Sequence, residues 1–326
     1  MSQERILITG SNGQLGTVIA ENLITMYGAD NVVVSDIKQP TKKYHNFELL
    51  DVCNTQAIDE LVLKYQINQV YHLAAMLSAT GEKMPMKCWD INVTGYLNVL
   101  EVCRKYGIKK IFFPSSIAVF GSDAQKVKAP QNSALNPSTV YGMSKVSGEQ
   151  WSSYYSRRYD MDIRSLRYPG VIGYQSLPGG GTTDYAVEIF HEALKHESYE
   201  CFLSAQTALP MIYMEDVVNA TMQLMEADKQ NITIRTSYNL EGDSFNPAEL
   251  TKEIQKFIPN FEISYAPDER QKIADSWVNS LDDSSARNDW NWKPKYELAQ
   301  ITEDMILNLR EMGIAEKKSK NFIKEI

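Results

Sequence analysis

The strongest constraint on the fold is a regular alternation of short apolar runs and longer amphipathic stretches over the first 170 residues. The apolar runs are 6–9, 32–36, 70–73, 111–113 and 164–168, and the amphipathic stretches are 14–27, 54–65, 86–106 and 141–159. Near-continuous apolar strands separated by helices are typical of a parallel sheet that is covered on both faces. We therefore predict an α/β fold built on a doubly wound parallel sheet.

The pattern loosens after Tyr168. Residues 173–183 are rich in Gly, Pro, Ser and Thr, and a helical pattern follows from Ala186. Shorter strands and helices continue to a last helix through 301–309, and the Lys- and Glu-rich tail 313–326 predicts a solvated or frayed end. We predict that residues 171–326 form mainly a smaller C-terminal α/β substrate lobe, with some segments returning to the sheet.

Composition and charge exclude several classes of protein. The 326 residues are 43% hydrophobic and 23% charged, which is ordinary for a globular chain and excludes disorder, collagen and coiled coil. The net charge of 33 − 41 = −8 predicts no nucleic-acid partner and no anionic membrane surface, because the phosphate contacts would be repulsive. Since no run approaches 18 apolar residues, we also expect no membrane span and take a small molecule as the partner.

The cysteines and histidines indicate neither disulfides nor a metal site. Cys53, Cys88, Cys103 and Cys201 are scattered without a C-x-x-C pair, and the four histidines form no ligand signature with acidic residues. Reduced and mostly buried thiols are therefore expected. The chain reaches an apolar strand within a few residues, so we expect no targeting segment and a cytoplasmic location, or the mitochondrial matrix in a eukaryote.

The turn after the first strand carries the series Thr9-Gly10-Ser11-Asn12-Gly13-Gln14-Leu15-Gly16, and a helical pattern begins within it. Gly10 suits the tight turn, Gly13 lets a pyrophosphate approach the backbone, and Gly16 lets the helix pack on the strand. The helix N-terminus then offers free N–H groups and a positive dipole end to phosphates. This context predicts a Rossmann dinucleotide site.

Asp36 ends the second strand, 20 residues beyond Gly16. A carboxylate at this place accepts hydrogen bonds from a ribose 2′-hydroxyl and repels a 2′-phosphate, which favours NAD over NADP. The alternative is a solvated carboxylate at a strand end. We predict that residues 1–170 form an NAD-binding Rossmann domain that also carries the catalytic residues.

Two further strand ends fit the same pocket. Asp51-Val52 follows the third strand, where the carboxylate suits an adenine amino group, although a simple turn Asp explains it nearly as well. Leu73-Ala74-Ala75 ends the fourth strand in small residues that let the backbone pass close to the cofactor. The complete predicted cofactor set adds Asn12, Gln14, Leu15, Asn92, Tyr141, Lys145, Tyr168 and Pro169.

Tyr141 and Lys145 lie four residues apart on a predicted helix and therefore share one face. A phenol is a poor base at pH 7, but a nearby ammonium and a cationic nicotinamide favour the phenolate. Ser116 lies just beyond the strand 111–113, at the edge of the sheet where ligands bind. The three side chains form a candidate proton-abstracting set, with Ser116 bonding the reacting oxygen.

These motifs together resemble the extended short-chain dehydrogenase/reductase family over essentially the whole chain. The resemblance implies that Tyr141 is the general base, that Lys145 holds the nicotinamide ribose and lowers the pKa of Tyr141, and that Ser116 positions the substrate. It also implies a homodimer formed through a bundle of the helices at 86–106 and 141–159. The alternative is that the apolar stripe of the first helix packs on its own sheet; that stripe comprises Trp89, Val93, Tyr96, Leu97, Leu100 and Cys103.

Substrate choice is indicated by the segment after the last strand. Sugar-nucleotide epimerases and dehydratases of that family typically have an Asn that binds the diphosphate, whereas this chain has Pro169-Gly170-Val171-Ile172. The stretch 179–186 contains three glycines and leads into a predicted helix. Thr182 and Thr183 are expected to provide the N-cap of this helix and hydroxyls that bind a small carboxylate.

The stretch 179–186 resembles that of the short-chain-type L-threonine 3-dehydrogenases, and so do 77–82, 274–277, 281–287 and 289–294. Two positions depart from that pattern. Val278 stands where a Pro usually follows the Trp, and Ser115-Ser116 stands where the pattern has a Ser–Thr pair.

The resemblance implies NAD-dependent oxidation of the β-hydroxyl of L-threonine to 2-amino-3-oxobutanoate, with Trp277 covering the site unless it is an ordinary core residue. The predicted substrate contacts are Ser78, Gly81, Ser116, Tyr141, Thr182, Thr183 and Trp277. One alternative is a UDP-sugar 4-epimerase or dehydratase that keeps NAD bound. Another is a non-enzymatic redox sensor, against which the presence of Tyr141 and Lys145 argues.

Overall fold

The fold is built around seven parallel strands in one sheet, as the sequence predicts. The computed structural model describes residues 4–314. The strands of this sheet are β1 Ile6–Thr9, β2 Val32–Asp36, β3 Phe47–Leu49, β4 Gln69–His72, β5 Lys110–Ser116, β6 Asp162–Tyr168 and β10 Tyr238–Asn239. Their order is β10-β6-β5-β4-β1-β2-β3, so the chain winds outward from β1 in both directions. The doubly wound Rossmann-type fold is confirmed.

Helices cover both faces of this sheet. The helices of residues 4–314, including those of the small lobe, are α1 Gln14–Tyr27, α2 Thr55–Tyr65, α3 Ser78–Lys83, α4 Pro85–Trp89, α5 Gly95–Tyr106, α6 Val140–Tyr159, α7 Tyr185–His196, α8 Met214–Glu226, α9 Pro247–Gln255, α10 Glu269–Ser276, α11 Ser284–Trp290 and α12 Leu298–Glu311. One face packs on α1 and α8 through residues such as Leu23 and Val217. The other packs on α2 and α5 through residues such as Ile58 and Leu100.

The stretch predicted as one helix over 86–106 is interrupted. α4 and α5 are joined by a π-helical turn over Asp90–Thr94, whose wider spacing is common near functional sites. Four residues of the apolar stripe are buried within the chain: Val93, Tyr96, Leu100 and Cys103. Most of the stripe therefore packs on its own sheet, and the homodimer remains a prediction.

The remaining strands form two small sheets in the second half of the chain. β7 Gly170–Ile172, β9 Leu209–Tyr213 and β11 Asp243–Phe245 make one, and β8 Ser198–Cys201 pairs with β12 Glu262–Tyr265 in the other. A separate core gathers around α7, α9 and α12. Because β10 and α8 pack with the large sheet, the second half contributes to both cores.

Four further expectations concern the cysteines, membrane-spanning helices, a metal site and the C-terminal tail. The four cysteines are free, with Cys53 exposed and the other three buried. Across residues 4–314 no helix has the length and apolarity needed to cross a lipid bilayer. The same part of the chain holds no group of three or more His, Cys, Asp or Glu side chains suited to a metal ion. The predicted frayed tail lies, from residue 315, outside the described residues.

Helix α6 lies directly against strand β5, and one glycine makes this possible. A Cβ built on Gly148 would overlap the ring of Phe113. Phe113 is buried, with an exposed fraction of 2%, and stacks on Tyr96 at 4.2 Å between ring centroids. The ring therefore has no free space into which to move, and α6 can approach β5 only with glycine at 148.

We predict that Gly148→Ala lowers the free energy of unfolding by about 1–3 kcal/mol, because an added methyl overpacks this contact. Ser147→Ala is the matched control, since it leaves an alanine one position away on the same helix without adding a carbon atom, at a residue that is only partly buried. Urea denaturation of both variants measures the difference. Equal stability of the two would contradict the proposed packing constraint.

Candidate active site

A cavity of about 250 Å³ lies at the carboxyl ends of β1, β4, β5 and β6, against the small lobe. It brings together most of the predicted site residues: Gly10, Gly13, Gln14, Leu15, Gly16, Leu73, Ala75, Ser78, Ser116, Tyr141, Lys145, Tyr168, Pro169, Thr182, Thr183 and Trp277. It also includes residues that were not predicted: Leu77, Pro114, Ser115, Ile117, Gly170, Val171, Gly181 and Asp184. Ligands of open α/β sheets bind at this edge.

The glycine turn has the geometry that a pyrophosphate needs. Gly10 has a φ of +74°, and a Cβ there would lie 2.5 Å from the backbone nitrogen of Ala74. A Cβ on Gly16 would overlap the carbonyl oxygen of Gly10, whereas one on Gly13 would be 3.5 Å from it. Gly10 and Gly16 therefore bring the turn against α1 and the β4 loop, and Gly13 leaves the helix N-terminus open towards the cavity.

Asp36 lies beside this turn, outside the cavity lining. Its carboxylate accepts hydrogen bonds from the backbone N–H of Asn12 at 3.0 Å and of Lys38 at 3.2 Å. The side chain of Asn12 donates to the carbonyl of Lys38 at 2.7 Å. The carboxylate is thereby fixed at the carboxyl end of β2, beside the glycine turn, where the ribose of a nucleotide bound at that turn would lie within its reach.

Five other predicted residues lie behind the cavity rather than in its lining. The carboxylate of Asp51 accepts from the N–H of Cys53 at 2.9 Å, as a turn Asp does. Val52 is buried, and a Cβ on Gly95 would lie 2.7 Å from its Cγ2. Ala74 contributes the backbone against which Gly10 packs. The remaining two, Asn92 and Gly81, support the loop after β4.

Asn92 lies in the π-helical turn and holds that loop with both ends of its amide. It accepts from the N–H of Met76 at 2.8 Å, and it donates to the Met76 carbonyl at 3.0 Å and to Ser144 Oγ at 3.1 Å. A Cβ on Gly81 would approach Cys88 Sγ to 2.9 Å, so Gly81 permits close packing of α3 on α4. Asn92 and Gly81 therefore hold the loop after β4 and the helices beside it, and neither lines the cavity.

Ser116, Tyr141 and Lys145 converge inside the cavity. Ser116 ends β5 and hydrogen-bonds the Tyr141 hydroxyl, while Lys145 Nζ lies 5.5 Å from the centre of the Tyr141 ring. Lys145 donates to the carbonyl of Pro114 at 2.7 Å. The three side chains therefore come from two adjacent elements, β5 and α6, and their hydrogen bonds link those elements.

Burial dominates the electrostatics of this set. It raises the pKa of Tyr141 to about 12, against the lowering effect of the Ser116 hydrogen bond. It lowers the pKa of Lys145 to about 8, although Cys88 and Glu149 act in the opposite direction. The predicted lowering of the Tyr141 pKa by Lys145 is not seen in this structure, because the ammonium is directed at a carbonyl and desolvation disfavours both charged forms.

A buried ion pair beneath these residues was missed by the sequence analysis. Glu149 is fully buried and accepts from Ser115 Oγ at 2.6 Å and from Arg167 at 2.9 and 2.8 Å. Arg167 also donates to the side chain of Asn239 at 3.0 Å. The signal was present in the sequence, since Glu149 follows Tyr141 and Lys145 at the same spacing of four and so shares their helical face.

The substrate side of the cavity is formed by the segment before α7. Thr182 is 1% exposed, and its hydroxyl is among the buried oxygens that have no hydrogen-bond partner within residues 4–314. The predicted N-cap role of Thr182 and Thr183 is wrong, because Asp184 is the residue that precedes α7. Its carboxylate accepts from the N–H groups of Gly180 at 2.8 Å and Gly181 at 2.7 Å and shapes the glycine loop.

Trp277 closes the same side from the small lobe. It ends α10, is 5% exposed and lines the cavity, while also packing in the core around α7. Trp277 therefore lines the cavity, as a residue that covers the site would, and it also packs as a core residue. The sequence had offered these two roles as alternatives. The cavity accordingly has a phosphate-binding end at the glycine turn and an enclosed end at Trp277, with Tyr141 between them.

These features fit a nicotinamide dinucleotide. Any Cβ at Gly10 or Gly16 would overlap neighbouring backbone and deform the turn, the helix N-terminus faces the cavity, and Asp36 is fixed beside the turn at the end of β2. Tyr141 and Lys145 lie where a nicotinamide would meet a substrate hydroxyl. The fold and the site together define a dinucleotide-dependent enzyme of the Rossmann type.

The chain belongs to the NAD dependent epimerase/dehydratase family, whose model matches residues 6–240. An uncharacterized epimerase/dehydratase of Staphylococcus haemolyticus is 43% identical over 313 residues, covering 94% of this chain and 98% of that protein.

Two solved structures are similar over nearly the whole chain. A GalE-like L-threonine dehydrogenase from Cupriavidus necator in its holo form has a TM-score of 0.91 and 47% identity. A monomeric L-threonine 3-dehydrogenase from a metagenome, in its apo form, has a TM-score of 0.92 and 45% identity. Both alignments cover 94% of this chain and 99% of the other.

We predict that Glu149→Leu lowers the free energy of unfolding by about 3–5 kcal/mol, because it leaves the Arg167 guanidinium buried without its partner. The double variant Glu149→Leu/Arg167→Met should recover part of this loss, since removing both charges removes the uncompensated one. Denaturant titration of the single and double variants gives the comparison.

The control for this prediction is the exposed pair of Lys42 and Glu21, whose side chains are 57% and 43% exposed. Lys42→Met should change stability by less than about 1 kcal/mol. A Glu149→Leu variant no less stable than Lys42→Met would show that the buried pair has no structural importance.

Proposed function

We propose that this enzyme is an NAD-dependent L-threonine 3-dehydrogenase. It oxidises the β-hydroxyl of L-threonine and releases 2-amino-3-oxobutanoate. The observation that carries the proposal is the enclosed end of the cavity, where Trp277 and the Thr182–Asp184 segment surround Tyr141 and Ser116. Such an enclosure suits a small amino acid. The solved structures named above, which are L-threonine dehydrogenases at 45–47% identity, support the same choice.

The substrate would be held at three places around its reacting carbon. The unpartnered hydroxyl of Thr182 and that of Thr183 would bind the carboxylate, while Ser78 would meet the ammonium; Gly81, which the sequence also suggested there, packs against Cys88 outside the cavity lining. Asp184 lies close to this end, but its carboxylate is occupied by Gly180 and Gly181. Binding of the carboxylate and the ammonium would then orient the substrate so that its β-hydroxyl faces Tyr141. Holding the reacting groups in this geometry is the main way in which binding would contribute to catalysis.

The bound oxidised cofactor would supply a hydride acceptor and a positive charge beside the phenol. Tyr141 takes the proton of the β-hydroxyl, while the hydrogen on the β-carbon departs with its electron pair. Ser116, which bonds Tyr141 in the structure, donates to the same oxygen and keeps it in place. Lys145, mostly protonated at pH 7 with a pKa of about 8, would add a second positive charge close to the phenol, and the two charges together would favour the phenolate that burial alone disfavours.

The second candidate is a UDP-sugar 4-epimerase or dehydratase, which the name of the Staphylococcus haemolyticus relative, an epimerase/dehydratase, favours. Against it stands the segment after β6, where Pro169, Gly170 and Val171 line the cavity and no amide side chain is offered to a diphosphate. An epimerase also retains its cofactor and forms no net NADH. Measurement of free NADH therefore separates the two functions.

We predict that the purified protein forms NADH from NAD with L-threonine and not with UDP-glucose, and that Tyr141→Phe abolishes this turnover. The phenyl ring keeps the packing but has no oxygen to accept the proton. Absorbance at the reduced-nicotinamide band measures the rate, and a fluorescence titration with NADH should show nearly unchanged cofactor affinity. Turnover of threonine by the Phe variant would exclude Tyr141 as the base, and inactivity of the wild-type protein on threonine would exclude the proposed substrate.

We predict that Asp36→Ala weakens NAD binding and relaxes discrimination against NADP, because the carboxylate would no longer bond the ribose or repel a 2′-phosphate. Titration of the protein with each cofactor gives the ratio of the two dissociation constants. Asp51→Ala is a suitable control for this ratio, since its carboxylate bonds a turn N–H, and any contact with adenine would be the same for NAD and NADP. An unchanged preference in Asp36→Ala would remove Asp36 from the cofactor site.

A further inference from the structure

The segment that carries Trp277 is paired with a loop of the Rossmann domain. We call residues 275–283 the Trp277 strap and residues 126–131 the strap-binding loop. The N–H of Asn279 donates to the Lys126 carbonyl at 2.6 Å, and the N–H of Ala129 donates to the Ser280 carbonyl at 2.9 Å. A parallel bridge joins Ala129 to Leu281. The two segments therefore run side by side like short strands.

The strap-binding loop has a particular place in the chain. It lies between Ser116, at the end of β5, and Tyr141, at the start of α6. The part of the chain that joins two candidate catalytic residues thus also holds the segment that covers the substrate. A displacement of the loop would move Trp277 relative to the reacting groups.

Lys126 fixes the corner of the strap where Trp277 is located. Its ammonium donates to the carbonyl of Asp275 and to the carbonyl of Trp277, each at 2.7 Å. These carbonyls belong to the end of α10, whose last turn attracts a cation through the helix dipole. Lys126 is not part of the cavity lining, so it contacts the strap and not the ligand.

We propose that Lys126 is a positioning residue for L-threonine, holding Trp277 over the enclosed end of the cavity from outside it. This inference rests on the proposed function for its substrate and on the two carbonyl contacts for its geometry. The backbone pairing through Asn279, Ser280 and Asp282 remains when the ammonium is removed. Loss of Lys126 therefore frees the Trp277 corner without detaching the strap.

The test uses Lys126→Met, which keeps an unbranched side chain as far as Cε and removes the ammonium. We expect the KM for L-threonine to rise about fivefold to tenfold, because the enclosed end loses its fixed wall, while kcat and the KM for NAD stay within about twofold. Lys126→Arg should restore most of the affinity, since a guanidinium also donates to two carbonyls. Lys128→Met, which removes a charge from the same loop, is the matched control and should leave the KM unchanged.

A second readout is independent of catalysis. The chain has five tryptophans, so 5-fluorotryptophan labelling gives a small set of fluorine resonances, and Trp277→Phe identifies the one that belongs to Trp277. In Lys126→Met this resonance should move towards the position of a solvent-exposed indole. The shift requires no substrate, so it tests the positioning even where threonine is not turned over, and a wild-type enzyme inactive on threonine would refute only the proposed function.

Three results would overturn the inference. The first is an unchanged KM together with an unchanged Trp277 resonance in Lys126→Met. The second is an equal rise in KM in Lys128→Met, which would assign the effect to the charge of the loop. The third is an equal KM for L-threonine and an equal Trp277 resonance in the Met and Arg variants. This result would show that hydrogen bonds to the two carbonyls are not what positions Trp277.

Discussion

The contact between strand β5 and helix α6 is the constraint on which the active site depends. Ser116 ends the strand, and Tyr141 and Lys145 lie in the first turns of the helix, so their separation is set by how closely these two elements approach. Gly148 permits the approach, and the bond from Ser115 to Glu149 ties the strand to the helix behind the reacting groups. A shift of about 1 Å in such a contact is enough to cost a large factor in rate.

The same contact removes water from the reacting groups, and this has opposite effects on their charges. Burial raises the pKa of Tyr141 to about 12 and lowers that of Lys145 to about 8, so desolvation shifts both groups towards their neutral forms, although Lys145 stays mostly protonated at pH 7. A positive charge arriving next to the phenol acts at low dielectric and therefore has a large effect. Under the proposed function, Tyr141 would therefore become an effective base when the oxidised cofactor is bound.

The parts of the molecule that sequence analysis predicted are those set by local patterns. The apolar runs at β1 and β2, the glycine spacing from Gly10 to Gly16 and the spacing of Tyr141 and Lys145 each constrain a few neighbouring residues, and the structure has them as expected. Contacts between distant segments were missed. Arg167 is 18 residues from Glu149 and 72 from Asn239 in the sequence, and no periodic residue pattern predicts a contact over such separations. The π-helical turn at Asn92 was also missed, because its residues continue an ordinary helical pattern.

These distant contacts join the two halves of the site. Glu149 bonds Arg167, Arg167 bonds Asn239, and Asn239 donates to the carbonyl of Asp282 at 3.2 Å, at the far end of the Trp277 strap. One buried polar network therefore extends from the catalytic helix to the segment that covers the substrate. Moving the strap end would leave one N–H of the buried Asn239 amide without its acceptor, although that amide also donates to the Ala129 carbonyl. The end of the Trp277 strap and the ion pair behind Tyr141 are in this way linked through Asn239.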